Sequence, residues 1–371
     1  MDYSNEVMKI VEGALKSDKT KVSSYTQLLV DKLTENGEVR LAKTFNKILT
    51  NTASSHVMSS DVKVPVDHES RLPVADVYHP FDSETVVLND PAKEQVDRFL
   101  LYTKNSGKLL NRGIDVPNSI LLFGPPGCGK TKLAAYISKE VSLPLVTARL
   151  DSMVSSYLGN TSKNIRAVFE YAKSVPCVLF LDEFDAIAKI RDDNNELGEL
   201  KRVVNSLLQN IDDLKNGSII IAATNHEHLL DPAVWRRFGF KIEIGPPDNI
   251  SRTELIRLFL PDDELPQKEI DLASAAMTGL SGADIGEICN KVAIDSILFN
   301  ETISLNSLIE GVFDLLGAKG SGTGDVSKTS PLEEKVRFLR NADEKLFSYS
   351  QIASILGISK TYVSNLLNSE E

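Results

Sequence analysis

Residues 121–131 of this 371-residue chain are Leu-Leu-Phe-Gly-Pro-Pro-Gly-Cys-Gly-Lys-Thr. The apolar run at residues 120–123 predicts a buried strand. The next part fits the spacing G-x-x-x-x-G-K-T, in which a loop turns its backbone N–H groups towards a phosphate, and such a loop needs glycines: Gly124, Gly127 and Gly129. Lys130 is placed to contact the β- and γ-phosphates, and Thr131 to bind Mg²⁺. The stretch therefore predicts a strand, a phosphate-binding loop and a helix.

Composition limits the classes of protein that the chain can belong to. Its net charge of -11 argues against broad, non-specific binding to nucleic acid. The three cysteines are widely spaced, so neither a disulfide framework nor a zinc site is indicated, and reduced intracellular thiols are expected. The first residues lack a signal-peptide pattern, and no apolar run reaches the length of a membrane span. These features predict a cytoplasmic protein without a membrane span.

The fold class follows from alternating patterns after the glycine-rich loop. Helical segments alternate with strand-like apolar runs at residues 144–148, 177–181, 218–222 and 241–244. Alternation of this kind predicts an α/β domain with a parallel sheet covered by helices on both faces. Beyond residue 246 the strands stop, and helical periodicity continues to residue 316.

The predicted organisation has six segments. They are an N-terminal helical bundle (1–52), a linker (53–83), a large α/β nucleotide-binding domain (84–246), a small helical lid domain (247–316), a flexible linker (317–330) and a tail (331–371). Two interpretations of the N-terminal helices stay open. They recruit a partner or substrate, or they simply pack on the main domain.

Polar residues at the ends of two predicted strands complete a candidate catalytic site. Asp182 follows a buried strand and is placed to hold the water shell of Mg²⁺, while Glu183 is the candidate to polarise an attacking water. Asn225 ends the next strand and either orients that water or is an N-cap or turn asparagine. Arg236 and Arg237 come next, at a spacing that allows a neighbouring subunit to present them to a nucleotide.

Five ordered motifs together carry a family resemblance. They are Gly124-Pro-Pro-Gly-Cys-Gly-Lys-Thr131, Leu179-Phe-Leu-Asp-Glu-Phe-Asp185, Ala222-Ala-Thr-Asn225, Arg236-Arg-Phe238 and Gly279-Leu-Ser-Gly-Ala-Asp284. Over about residues 84–316 the chain resembles the AAA subgroup of the AAA+ ATPases. The paired arginines before Phe238 are similar to those of katanin and spastin.

The resemblance implies a role for each matching residue. The Walker A motif that binds ATP comprises Gly124, Pro125, Pro126, Gly127, Cys128, Gly129, Lys130 and Thr131. Asp182 and Glu183 form Walker B, with Mg²⁺ held by Thr131 and Asp182. Asn225 is sensor 1, and Arg236 and Arg237 are arginine fingers. Gly282 and Ala283 stand where other AAA+ branches carry a sensor 2 arginine. Family members usually form six-membered rings, so a hexameric homo-oligomer is expected.

The resemblance also implies a substrate-binding pore. The sequence Ser156-Tyr-Leu-Gly159 falls where the family places its first pore loop. Tyr157 and Leu158 would then contact an extended polypeptide by stacking and apolar contact. The family often has Lys before the aromatic residue, whereas this chain has Ser156. A buried tyrosine on a helix is the alternative interpretation.

The tail has a pattern of its own, over residues 350–367, that resembles a helix-turn-helix. Ala353 is the small residue where two helices would cross, Gly357 makes the turn and Ser359 would cap the second helix. In DNA-binding versions the start of that helix, here residues 360–362, enters the major groove. DNA binding, protein docking and a purely structural use of the motif all stay open.

The main functional hypothesis is an ATP-hydrolysing ring that remodels or unfolds a protein substrate through a central pore. A DNA-associated ATPase recruited through the tail is an alternative, and a nucleotide-controlled assembly switch is another. The Glu183 and arginine positions argue against the switch, since a pure switch does not need full hydrolytic equipment. A separate protease is a further candidate partner, because the chain contains neither an H-E-x-x-H nor a G-x-S-x-G motif.

Overall fold

The computed structural model describes residues 73–78, 85–150, 158–186, 197–214, 217–260, 265–300, 302–319 and 332–368, with scattered helical positions from residue 7 to 45. The chain divides into two compact units, Met1–Lys63 and Val64–Glu371. In the first unit, Leu29, Val30 and Leu33 form a small apolar cluster against which Phe45 packs. The predictions of the N-terminal bundle and of most of the linker at 53–83 fall largely outside the described residues.

A six-stranded sheet is the centre of the second unit. Its strands are β1 (Asp76–Tyr78), β2 (Ser119–Phe123), β3 (Leu145–Arg149), β4 (Val178–Asp182), β5 (Ile219–Thr224) and β6 (Phe240–Glu243). They are arranged in the order β1-β3-β4-β5-β2-β6. Strands β2 to β6 pair in parallel, and β1 pairs antiparallel with β3. The predicted α/β class is confirmed.

Helices connect the strands and continue beyond them. Those of the sheet region are α1 (Asp90–Lys104), α2 (Ser106–Leu110), α3 (Lys130–Glu140), α4 (Leu158–Ser174), α5 (Leu197–Asp213) and α6 (Pro232–Trp235). The lid has α7 (Asn249–Phe259), α8 (Gln267–Ala276), α9 (Gly282–Phe299) and α10 (Leu305–Lys319). The tail has α11 (Leu332–Ala342), α12 (Tyr349–Leu356) and α13 (Lys360–Asn368).

The central strands are apolar along their whole length because both faces of the sheet are covered. Along β2, Leu121 belongs to one apolar cluster, whereas Ile120 and Leu122 belong to the cluster on the opposite face. All three side chains are completely buried. This alternation fixes the register, because a shift of one residue would exchange the two faces. It also fixes where the glycine-rich loop leaves the sheet.

Strand β1 was not anticipated from the sequence. It lies within the segment predicted as a linker, where Asp76, Val77 and Tyr78 pair with Thr147, Val146 and Leu145 of β3. Only the middle residue is half-buried, and its two neighbours are exposed. A three-residue edge strand gives little hydrophobic periodicity, so its position depends on pairing with β3.

The lid and the tail share one apolar cluster. It joins Ile288 and Phe313 of the lid to Val336 and Phe347 of the tail. Helix α11 contacts α8, and α12 contacts α10. Helix α10 extends to Lys319, into the segment predicted as a flexible linker. The tail helices therefore pack onto the lid, although the sequence suggested a separate element.

Among the described residues, no helix is both long and apolar enough to cross a membrane.

The shared cluster predicts that a tail residue stabilises the lid. Phe347 is completely buried in it, so Phe347→Ala should lower the free energy of unfolding by about 3–5 kcal/mol. Phe299→Ala is the matched control, because that ring is 67% exposed and its loss should change stability by less than about 0.5 kcal/mol. Chemical denaturation followed by circular dichroism measures both. Equal small effects would mean that the tail packing contributes little to stability.

Candidate functional site

The glycine-rich loop joins β2 to α3 through three left-handed or otherwise unusual backbone positions. The φ angles of Gly124, Gly127 and Gly129 are 133°, 77° and 94°. A Cβ on Gly124 would lie 2.3 Å from the carbonyl oxygen of Ile244, a distance no real side chain tolerates. The loop can therefore follow this path only with glycine at its first position.

Lys130, the first residue of α3, has its ammonium group inside this loop. Its Nζ donates to the carbonyl oxygens of Gly124 and Pro125, both at 2.8 Å, and the residue is only 8% exposed. Burial lowers the pKa of the Lys130 ammonium, while the nearby acidic groups of Cys128, Asp182 and Asp185 act in the opposite direction. The loop thus holds a buried cation next to the N-terminus of a helix, an arrangement suited to phosphate.

The carboxylates predicted at the end of β4 lie beside the loop. Asp182 is the last residue of the strand, and its Oδ1 accepts a hydrogen bond from the N–H of Glu183 at 2.9 Å. Glu183 has a φ of 53°, a left-handed conformation that a non-glycine residue seldom adopts. The next N–H, of Phe184, donates to the carbonyl oxygen of Ala223 at 2.8 Å. Bonds on both sides thus maintain this turn at the edge of the site.

Asp185 is a contributor that sequence reasoning did not single out. It is 5% exposed, and its Oδ1 accepts a hydrogen bond from Thr224 Oγ1 at 3.2 Å. Thr224 Oγ1 accepts in turn from the N–H of His226 at 3.0 Å. These bonds join the turn after β4 to the turn after β5 and so position Glu183 and Asn225 relative to each other. In the sequence, Asp185 stood out only as the last residue of the motif at residues 179–185.

A cavity of about 630 Å³ brings the predicted polar residues together. Lys130, Thr131, Asp182, Glu183 and Asn225 all line it. The cap interpretation of Asn225 is not supported, because the short 3₁₀ turn that follows is capped at His226 without a side-chain hydrogen bond. Thr131 and Asp182 offer a hydroxyl and a carboxylate, which are oxygen ligands of the kind Mg²⁺ prefers. These residues fit a Mg²⁺-nucleotide, because they offer oxygen ligands to the metal and a buried cation to the phosphates.

An apolar part of the cavity wall was largely missed from the sequence. It comprises Val86, Val87, Leu88, Leu255, Leu258, Phe259 and Gly286. The first three belong to the segment before α1, and the others belong to the lid helices α7 and α9. Such a wall suits the flat, weakly polar face of a nucleobase. Periodicity alone could not reveal it, because its members come from two distant parts of the chain.

The start of lid helix α9 touches the phosphate loop directly. The N–H of Ala283 donates to the carbonyl oxygen of Gly127 at 3.0 Å. Ser281 and Asp284 form a reciprocal capping box that fixes this first turn. A Cβ on Gly127 would lie 2.6 Å from Ser281 Oγ. Gly282 and Ala283 therefore line the cavity as short residues that let the lid approach the loop.

The two candidate arginines have different surroundings. Arg237 Nε donates to Asp212 Oδ2 at 3.2 Å, and its Nη1 donates to the carbonyl oxygen of Ala233 at 2.8 Å. Arg236 is exposed, and its side chain makes no hydrogen bond or ion pair with the described part of the chain. Neither arginine lines the cavity of its own chain. Of the two, Arg236 is the more exposed.

The pore prediction is not tested by the structure. Tyr157 lies outside the described residues, and Leu158 is described only as the first residue of α4. The described residues contain no group of three or more His, Cys, Asp or Glu side chains arranged to hold a metal ion. The predicted Mg²⁺ site is of a different kind, because most of its ligands would be phosphate and water.

The sheet region is similar to a known family of proteins. Residues 120–246 match the family model described as "ATPase family associated with various cellular activities (AAA)". An uncharacterized AAA family ATPase of Sinorhizobium fredii is 43% identical over 194 residues, which is 51% of this chain and 57% of that protein. The ATP-dependent zinc metalloprotease FtsH 3 of Sphaerobacter thermophilus is 33% identical over 209 residues, 55% of this chain and 43% of that protein. The chain thus spans about half the length of the curated relatives it matches.

Solved structures give the same fold. A crystal structure of the FIGL-1 AAA domain aligns with a TM-score of 0.56 at 20% identity, covering 80% of this chain and 98% of that one. A second, in complex with ADP, aligns with a TM-score of 0.53 at 23% identity, covering 64% of this chain and 85% of that one.

The contact between Gly124 and Ile244 predicts how strictly the loop depends on glycine. Gly124→Ala should weaken binding of a fluorescent ATP analogue at least tenfold, because the added Cβ displaces the loop from β6 and forces an unfavourable φ that costs about 1–3 kcal/mol. Gly107→Ala is the control, since a Cβ at that position meets nothing within 4 Å and the residue does not line the cavity. If both variants bind the analogue alike, the loop path is not restrained by this contact.

Proposed function

We propose that the chain, which carries an AAA-family ATPase domain, hydrolyses ATP as a ring-forming enzyme and uses that energy to remodel a protein substrate. One observation supports the ATPase part. A buried lysine, a threonine and two carboxylates line the same cavity: Lys130, Thr131, Asp182 and Glu183. The part concerning the protein substrate is supported by the motif pattern and the resemblance.

In this proposal each residue of the cavity has one task. Lys130 and the loop N–H groups bind the phosphates, and Thr131 and Asp182 would hold a Mg²⁺, which would supply positive charge to them. Glu183 accepts the proton of the attacking water or orients it, and Asn225 contacts the same water from the adjacent strand. The apolar wall at Val87 and the lid binds the base and excludes water from it.

A neighbouring subunit would complete the site. Arg236 is exposed and does not line the cavity of its own chain, which supports a role in the site of another copy. Arg237 is bonded to Asp212 and to the chain's own backbone, which holds the turn that carries Arg236. The similarity to the arginine pair of katanin and spastin supports a finger in trans. A hexameric ring is the assembly that the resemblance suggests.

The protein-remodelling part rests on Tyr157 as a pore residue. A separate protease is one candidate partner, to which an unfolded product would be passed.

Substituting the two arginines one at a time distinguishes the proposed arginine finger, Arg236, from Arg237, which stabilises the turn that carries it. Arg236→Ala should lower kcat by about 10³-fold or more and leave ATP binding intact, because it removes transition-state charge stabilisation only. Arg237→Ala is the matched comparison and should mainly lower stability, by about 1 kcal/mol or less for its half-exposed ion pair. ATPase rates and nucleotide binding measure both effects.

Mixing two inactive variants then tests whether the finger acts in trans. Lys130→Ala subunits carry an intact Arg236, and Arg236→Ala subunits carry an intact cavity. If neighbours share a site, mixed assemblies should regain a measurable ATPase rate. No recovery after subunit exchange would exclude a finger in trans.

The remodelling part is tested with a trapped substrate. Glu183→Gln should bind ATP and hydrolyse it poorly, and so retain its client protein during purification with ATP. With that client identified, Tyr157→Ala should keep an ATPase rate near that of the original protein and lose client unfolding. Ser156→Ala controls for disturbance of the segment. Loss of hydrolysis and unfolding to the same degree would contradict a pore role, and the absence of any retained protein would contradict remodelling.

A further inference from the structure

The last two helices of the tail form a compact pair that the ATP site does not use. Helix α12 ends at Gly357, whose φ is 66° and whose N–H donates to the carbonyl oxygen of Ala353. Ser359 then starts α13, because its Oγ accepts from the N–H of Tyr362 at 3.2 Å. A glycine in the left-handed conformation followed by a capping serine makes a short, defined turn between two helices.

The inner face of this pair is a small apolar core. Ile352 and Val363 are completely buried, and Ala353 is 8% exposed. Helix α13 contacts α11 and α12, and these two helices contact the lid. The arrangement of three helices with a tight turn before the last one is that of a helix-turn-helix unit.

The outer face of α13 carries polar side chains. Lys360, Thr361, Tyr362 and Asn365 are all exposed. Tyr362 is 47% exposed, which is unusual for an aromatic side chain in a packed three-helix unit. These are side chains that donate hydrogen bonds to phosphates and base edges in protein–DNA complexes.

The charge distribution of the pair does not oppose the binding of a polyanion. Residues 349–368 contain one charged side chain, Lys360, and no carboxylate, although the chain as a whole has 52 Asp and Glu residues. Glu333 on the preceding helix is bonded to Arg337, and Glu344 in the turn after that helix is bonded to Arg340, each at 2.7 Å. The Asp343 carboxylate accepts from the N–H groups of Lys345 and Leu346. The repulsion expected from the net charge of the chain is therefore reduced at this face.

We propose that α13 binds duplex DNA, with its exposed N-terminal half in the major groove. Lys360 and Tyr362 contact the phosphate backbone, while Thr361 and Asn365 contact base edges and supply sequence preference. This proposal is independent of the proposed remodelling activity, since none of its residues lies in the ATP cavity.

The binding sequence is obtained first. The full-length chain is incubated with a library of duplexes that contain a random central segment, and bound duplexes are recovered and sequenced over several rounds. We expect one sequence pattern to become enriched. Fluorescence anisotropy with that duplex, and with a scrambled duplex of the same composition, then gives affinity as a function of salt concentration, which should fall as salt rises.

Two single variants assign the contacts. Asn365→Ala should reduce affinity for the selected duplex about ten- to hundredfold and leave the scrambled duplex little affected. Lys360→Ala should weaken both duplexes alike and reduce the salt slope by about 1. Arg98→Ala is the control, because it removes an exposed cation on α1, bonded to Glu94, and should leave DNA affinity within twofold. An unchanged ATPase rate shows that each variant is folded.

Three results would overturn the proposal. One is a library from which no pattern emerges, together with no binding at low salt. Another is DNA affinity that neither α13 variant alters. The last is that the original chain binds a protein instead of DNA and that the α13 variants no longer bind that protein. This face would then be a protein-docking surface.

Discussion

The hydrogen bond from Ala283 to Gly127 is the contact on which the site depends most. It joins the first turn of a lid helix to the phosphate loop, and the absence of a Cβ at Gly127 lets Ser281 come close enough for it to form. The sheet supplies the polar half of the cavity, and the lid supplies part of its apolar wall. Because this contact joins the phosphate loop to the lid, a change in it alters the polar and the apolar parts of the cavity together. A phosphate that moves the loop would therefore also move the lid.

The second constraint lies at the carboxyl edge of the sheet. Asp182 fixes the N–H of Glu183, and Asp185 fixes Thr224 beside Asn225. The left-handed φ of Glu183 is maintained by two hydrogen bonds, from the N–H of Glu183 and from the N–H of Phe184. The two side chains that we propose act on water, Glu183 and Asn225, therefore lie on turns that the protein's own hydrogen bonds hold, and such preorganisation would reduce the reorganisation that the reaction requires.

Much of this was predictable from local patterns. The buried strands, the glycine loop and the residues Lys130, Asp182 and Asn225 follow from apolar runs that end in polar residues, because the ends of parallel strands meet at one edge. Features that depend on distant pairing were not predictable. Strand β1 forms by pairing with β3. The apolar wall combines residues about 170 positions apart in the sequence. Arg236 and Arg237 differ because Asp212, which is distant in the sequence, binds only Arg237. The packing of the tail on the lid was hidden for the same reason, since helical periodicity shows that a face is buried but not against what.

The cluster shared by the lid and the tail has a consequence for protein engineering. Helices α10 and α11 lie on either side of residues 320–331, and both contribute apolar side chains to one core. A break in the chain within that segment would produce two fragments with complementary apolar faces. Fragments of this kind reassemble when the area they bury exceeds the entropic cost of association. Division of the chain within residues 320–331 thus gives the two parts of a split reporter, with the nucleotide-binding part on one fragment and the tail helices on the other.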